Sequence, residues 1–239
     1  MGSYFDQHEF DVRCEWGLAG MAHLLPVSDV IVIVDVLSFT TCVDIAVANG
    51  ALVYPFDGRG DAAAAYAAEL DAHLARHRQV PGSWYSLSPA SLLDIPPGTR
   101  LVLPSPNGAA LSLASGPLPT LSGCLRNAQA VALRAQSLGR RISVIAAGER
   151  WTDGSLRPGL EDLLGAGAVI DHLTGRRSPE AAAAWAAYRE LKDNLVENLA
   201  QCSSGKELAG RGYSQDVALA AALNDSQFAP ILVAGAYQS

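Results

Sequence analysis

The stretch Asp29–Thr41, D-V-I-V-I-V-D-V-L-S-F-T-T, decides how this chain is read. Val30 to Val34 is an unbroken β-branched run, short and apolar on both faces. That is the pattern of a strand buried inside a parallel sheet. Asp35 stands at its end, and Ser38, Thr40 and Thr41 lead into a helical segment to Asn49 with Gly50 behind it, a glycine placed to end a helix. A carboxylate at the end of a central strand, followed by hydroxyls at a helix start, is where open α/β sheets bind ligands. Capping the next helix is the other use for Asp35, so the remaining strand ends must decide.

Working outward, Val12, Cys14 and Trp16 alternate over Asp11–Trp16 and predict a first strand, with Gly17 to Ser28 as a connecting loop. Leu52–Phe56 reads as a strand, Asp61 to about His77 as an alanine-rich helix, and Gln79–Gly98 as a long loop rich in Pro, Ser and Gly. Strands at Leu101–Leu103, Leu118–Leu121 and Ile142–Ala146 alternate with helices at Ala109–Ala114, Ala128–Leu138 and Leu160–Leu173. Ser178-Pro179 starts a helix carrying Trp185, Tyr188, Leu191, Leu195 and Leu199 at helical spacing, as core residues. Cys202–Gly212 reads as a loop or short helix, Asp216–Leu223 as a helix and Ile231–Ala234 as a terminal strand. The alternation predicts an α/β fold, a three-layer α/β/α arrangement around a mainly parallel sheet. With no linker of disordered composition and no repeat, residues 1–239 are expected to form one domain.

Bulk properties narrow the function. Of the 239 residues, 49% are apolar, enough for a substantial core, and the net charge of −7 comes without a basic stripe. Nucleic acid is therefore not expected as a partner. Cys14, Cys42, Cys124 and Cys202 have no paired spacing, which fits reduced thiols in a cytoplasmic protein and not a zinc site. The N-terminus M-G-S-Y-F-D-Q-H is polar and acidic, unlike a signal peptide, and the Val30–Val34 run is too short to span a bilayer. No membrane partner is expected; homo-oligomerisation is left open.

Four strand ends are polar, and a parallel sheet gathers them on one edge. They carry Asp35 with Ser38, Thr40 and Thr41; then Ser105, Asn107 and Gly108; then Ser122, Arg126 and Asn127; then Glu149 and Arg150. P-S-P-N-G at 104–108 joins a strand to a helix start, where backbone N–H groups can hold a phosphate, or form an ordinary Pro-Gly turn. Arg126 adds a guanidinium that can grip phosphate or sulfonate. Cys202-Ser203-Ser204-Gly205-Lys206 is similar to a second anion nest, without the glycine spacing of a Walker loop. Asp35, Glu149, Glu161, Asp162 and Asp216 offer oxygen ligands for a hard cation, Mg²⁺ before zinc, since the five histidines show no ligand spacing. Phosphate donors beside a carboxylate-held metal point to hydrolysis or transfer of a phosphoryl group. A cysteine phosphatase loop is excluded, because no arginine lies six residues beyond any cysteine. A haloacid-dehalogenase-type pair is excluded too, because Leu37 stands where a second Asp is needed.

The motifs D-V-L-S-F-T-T, P-S-P-N-G-A, G-C-L-R-N-A, A-A-G-E-R-W, L-E-D-L-L-G-A-G-A, C-S-S-G-K-E-L and D-V-A-L-A-A-A-L-N, in this order from Asp29 onward, resemble the 2-phosphosulfolactate phosphatase (ComB-like) family. The resemblance implies an α/β fold and Mg²⁺-dependent hydrolysis of a small anionic phosphate ester to sulfolactate and phosphate. It places Asp35, Asn107, Arg126, Asn127, Glu149, Glu161, Asp162, Ser204, Gly205 and Asp216 at motif positions. By chemistry, Asp35, Glu149, Glu161 and Asp162 are assigned to the metal, and Asp35, Arg126, Glu149 and Asp216 to catalysis. Ser105, Asn107, Gly108, Arg126, Asn127, Ser204 and Gly205 are assigned to phosphate. The nucleophile is either a metal-activated water or Asp35 itself. Many members of that family read D-V-L-R where this chain has Ser38, so an anion-gripping cation is expected from Arg126, Arg150 or Lys206 instead. The other reading is a non-catalytic or altered-specificity member that binds a small anionic metabolite.

Overall fold

The computed structural model describes residues 3–58, 60–76, 78 and 84–239. In chain order the elements are β1 (Val12–Trp16), α1 (Gly17–Leu24), β2 (Val30–Val34), α2 (Phe39–Ala48), β3 (Leu52–Phe56), α3 (Asp61–Glu69), β4 (His73–Leu74), β5 (Arg100–Pro104), α4 (Gly108–Ala114) and β6 (Thr120–Gly123). Then follow α5 (Ala128–Leu138), β7 (Ile142–Ala146), β8 (Glu149–Arg150), β9 (Leu156–Arg157), α6 (Leu160–Asp171), α7 (Pro179–Leu191), α8 (Leu195–Gln201), α9 (Ser203–Gly210), α10 (Ser214–Ala220), β10 (Ile231–Val233) and β11 (Ala236–Gln238).

The main sheet has the order β1-β7-β2-β6-β10-β11-β3-β5-β4. Two parallel blocks, β1-β7-β2-β6 and β3-β5-β4, are joined by the antiparallel hairpin β10–β11. The joint is narrow. Ile231 pairs with Leu121 of β6, and Tyr237 pairs with Val53 of β3. Helices cover both faces, as the α/β/α expectation requires. All five residues of β2 are buried, and the two-residue alternation of a strand divides them between the layers. Val30, Val32 and Val34 pack with α5 and α6, while Ile31 and Ile33 pack with Met21 and Leu24 of α1 and Leu111 of α4. Close approach of α6 to the sheet depends on Gly165, where a Cβ would stand 2.5 Å from Val36 Cγ2 and 2.8 Å from Val34 Cγ1.

The structure departs from the sequence pattern in several places, the small β8–β9 hairpin among them. Gly17–Leu24 is a helix and not a loop. Its two glycines and exposed Leu18 hide the apolar period, and Gly17, at φ +59°, turns the chain sharply out of β1. Helix α3 ends at Glu69, because Asp71 takes a left-handed conformation (φ +48°), and His73–Leu74 then add an edge strand to β5. The expected helical end at His77, and residues 79–83 of the expected loop, lie outside the described residues. The helix begun by Ser178 breaks at a 3-10 turn, Lys192–Asn194, before α8; Asn198 Nδ2 donates to Leu191 O (3.0 Å) across the break. Finally, the terminal strand is a hairpin, and it runs through the middle of the sheet.

Candidate active site

Asp35 follows β2 and is buried, 6% exposed. Its position is fixed by the chain around it. Phe39 N–H donates to Oδ1 (3.2 Å), Gly108 N–H to Oδ2 (2.8 Å), and Ser105 Oγ lies 3.5 Å from Oδ2. Thr40 N–H and Oγ1 both donate to the Asp35 carbonyl, at 2.8 Å each. Asp35 therefore gathers the starts of α2 and α4, which follow β2 and β5, strands of opposite sheet blocks. Gly108 is required there: a Cβ would run into the Phe39 ring and stand 2.7 Å from Asp35 Oδ2. The amide that the P-S-P-N-G turn offers to a phosphate thus serves Asp35.

Glu149 opens the small hairpin β8–β9, and Asn107 Nδ2 donates to its Oε2 at 3.0 Å. Burial, then the charges of Asp35 and Glu161, push the Glu149 carboxyl up to about 7. Burial pushes Asp35 up to about 6, with Glu161 adding repulsion against the pull of the two amides. Asp162 is raised well above the usual range by burial and by Asp35 and Glu161. It also clasps two strand ends, accepting from Val36 N (2.7 Å) and Gly148 N (2.8 Å). Glu161 is 2% exposed and accepts from Cys202 Sγ at 3.4 Å.

A cavity of about 510 Å³ opens over this edge. Asp35, Ser38, Ser105, Asn107, Glu149 and Ser204 line it, with an apolar wall from Leu37, Leu74, Leu87 and Leu208. Residues of three of the four polar strand ends thus line one cavity, while Ser122, Arg126 and Asn127 of the remaining end do not. Ser204 accepts from Arg157 Nη2 at 3.0 Å, and Gly205 N–H donates to Cys202 Sγ at 3.3 Å, so the second expected anion nest is a closed helix start.

Other expected members stand elsewhere. Arg126 is not among the cavity's lining residues. Its Nε donates to the fully buried Asp44 (Oδ2, 3.0 Å), Nη2 to Asp225 (2.9 Å) and Nη1 to Leu219 O (3.2 Å). Asn127 closes its own turn, accepting from Cys124 N at 2.8 Å and donating to Ser122 O at 3.2 Å. Asp216 accepts from Ser88 Oγ (2.6 Å) and Ala90 N (3.3 Å). Arg150 and Lys206 are exposed and line no part of the cavity. The cation that reaches Ser38 is Arg78, whose Nη2 donates to Ser38 Oγ at 2.7 Å. Neither Arg78 nor Arg157 carries a sequence signal. The first lies in a segment without periodicity, and the second precedes a helix as an ordinary polar residue.

Oxygen donors, mutually repelling and largely buried, are the chemistry of a site for a hard divalent cation. The four acids are not drawn into a chelate. Among the described residues, the group of three whose ligand atoms lie within 4.8 Å of one another is Asp6, His8 and Glu9, near the N-terminus. Among the described residues, too, no helix is long and apolar enough to cross a membrane.

A family model described as 2-phosphosulpholactate phosphatase matches residues 21–235. The chain is 32% identical over 206 residues to a probable 2-phosphosulfolactate phosphatase of Gloeobacter violaceus, covering 82% of this chain and 85% of that one. Over 122 residues it is 34% identical to a 2-phosphosulfolactate phosphatase of Methanothermobacter thermautotrophicus, half of each chain.

Proposed function

Because this chain belongs to the 2-phosphosulpholactate phosphatase family, we propose that it is a phosphoric monoester hydrolase that converts 2-phosphosulfolactate to sulfolactate and phosphate with the help of Mg²⁺. The supporting observation is the meeting of Asp35 and Glu149, from distant parts of the chain, in the wall of one cavity. Asp35 would hold the cation from the cavity wall, with the charges of Glu161 and Asp162 behind it. Bound there, it would neutralise phosphoryl oxygens and the repulsion among these acids.

The chain's own groups account for the rest. Asp35 is fixed by two backbone amides, so its oxygens present one orientation to the cavity and need no rearrangement during turnover. Glu149, with its carboxyl near neutrality, is suited to take the proton of the attacking water and return it to the leaving oxygen. Asn107 holds Glu149 in place through its Oε2. The apolar wall of Leu37, Leu74, Leu87 and Leu208 would lie against the ester and reduce its contact with water, which strengthens each charge interaction there. Phosphate release from a panel of small phosphorylated acids, with and without Mg²⁺, tests the reading. Turnover of 2-phosphosulfolactate that needs Mg²⁺ and fails in a folded Asp35→Asn variant is expected. Equal turnover by that variant would refute it.

A further inference from the structure

An anionic ester entering this cavity meets Asp35 and Glu149, so it needs a cation of the protein's own to hold it. Among the described residues lining the cavity, the arginines are Arg76, Arg78 and Arg211. Arg76 and Arg211 are exposed, and Arg211 lies 2.7 Å from Glu207. Arg78 differs from both: its side chain is 17% exposed and is held on three sides. Nη2 donates to Ser38 Oγ at 2.7 Å, the guanidinium carbon lies 5.3 Å from the centre of the Tyr213 ring, and the Tyr213 hydroxyl donates to the Arg78 carbonyl at 3.1 Å. Asp216, 1% exposed, stands 3.4 Å from Nε.

The Asp216 contact orients Arg78 without saturating it. Nε and Asp216 Oδ2 are both buried without a well-formed hydrogen bond among the described residues. A guanidinium has five N–H donors in a rigid fork. Here one nitrogen is engaged by a neutral hydroxyl and another faces a carboxylate off-line. The charge therefore stays available to a second oxyanion in the cavity. Ser38 sits three residues beyond Asp35 on the same strand-to-helix turn. The fork thus lines the same cavity as Asp35, beside that carboxylate and not bonded to it.

We infer that Arg78 holds the acidic group of the substrate that is not hydrolysed, and so selects phosphate esters of small acids over esters lacking an acid. Asp216 and Ser38 act as positioning residues for it. The inference rests on the phosphatase reading only for the word substrate; the anion site stands on geometry. Calorimetric titration of the Mg²⁺-supplemented protein with sulfolactate reads binding without turnover. Kinetics on 2-phosphosulfolactate and on phenyl phosphate read selectivity.

Arg78→Gln is expected to weaken sulfolactate roughly ten- to hundred-fold, the loss of charge-assisted hydrogen bonds. It should lower kcat/KM for 2-phosphosulfolactate alike, mainly through KM, and leave phenyl phosphate within about two-fold. Arg78→Lys keeps a charge opposite Asp216, guards against misfolding and should fall between, because a point charge lacks the fork. Sulfolactate that binds wild type and both variants equally, or does not bind wild type, overturns the inference; so does an equal loss for both esters. Arg78-dependent binding of sulfolactate without hydrolysis of either ester would refute the phosphatase reading and leave the anion site standing.

Discussion

Replacing Gly108 with alanine tests whether Asp35 is held from the far side of the site. The added methyl would meet the Phe39 ring and come within 2.7 Å of Asp35 Oδ2. Phe39 is fully buried between α2, β3 and Tyr237 and has little room to yield. Overpacking of this kind costs about 1–3 kcal/mol. Displacing Asp35 from the Gly108 N–H, 2.8 Å away, removes a charge-assisted hydrogen bond of roughly 1.5–3 kcal/mol. The combined cost is about 2.5–6 kcal/mol, and at roughly 2–4 °C per kcal/mol for a chain of this size the melting temperature should fall by about 5–24 °C. Phosphate release should fall further than stability explains, because the surviving folded molecules carry a misplaced Asp35. Gly210→Ala is the control: nothing stands within 4 Å of its Cβ position at the exposed end of α9, and it should be neutral or slightly stabilising. Thermal unfolding and initial rates at saturating ester, on both variants, decide. A Gly108→Ala protein with wild-type melting and rate would mean that the grip on Asp35 is dispensable.

Arg126→Ala should cost about 3–5 kcal/mol by leaving Asp44 buried and unpaired, while KM in the folded fraction stays unchanged; a raised KM would return Arg126 to the site. In the metal-free protein, carboxyl NMR should find Glu149 titrating near pH 7. Asn107→Ala should move that titration higher, because the Asn107 hydrogen bond favours the charged form; an unmoved midpoint contradicts the contact. Asp29, lowered to about 2 chiefly by its hydrogen bond from Arg141, supports the fold above its unfolded pKa near 4. That support fades as pH falls from about 4 to about 2. With Arg141 half exposed, about 1 kcal/mol is at stake, and urea unfolding of Asp29→Asn should lose it at pH 7 but not at pH 2.

What the sequence exposes is what short-range pattern encodes. Val30–Val34 and Ile142–Ala146 announce buried strands because both of their faces are apolar, and the carboxylates at strand ends follow from the parallel arrangement. The uses of the individual polar groups leave no such pattern. Arg126 has the chemistry of a phosphate ligand, yet Asp44, buried in the second turn of α2, claims it. The Gly108 and Gly205 amides have the geometry of anion donors, but Asp35 and Cys202 lie closer. Arg78 acts on Ser38 across forty residues, and no spacing rule links them. Partners chosen by tertiary packing leave no period in the chain. The same holds for α1, whose helix depends on the sheet beneath Met21 and Leu24.

The hairpin between the two parallel blocks has a consequence for biogenesis. On the ribosome, β1, β2, β6 and β7 can assemble early, and so can β3, β4 and β5, but among the described residues no strand pairing joins the two sets until residues 231–238 have emerged. Until then the nascent chain exposes the flanks of β6 and β3, two open edges suited to mispairing. Asp35 and Gly108, which come from opposite sets, already meet through α2 and α4, and that late closure completes the sheet beneath them. A fusion or a deletion that perturbs Tyr237 should therefore be felt first as aggregation during synthesis, and only second as a loss of catalysis.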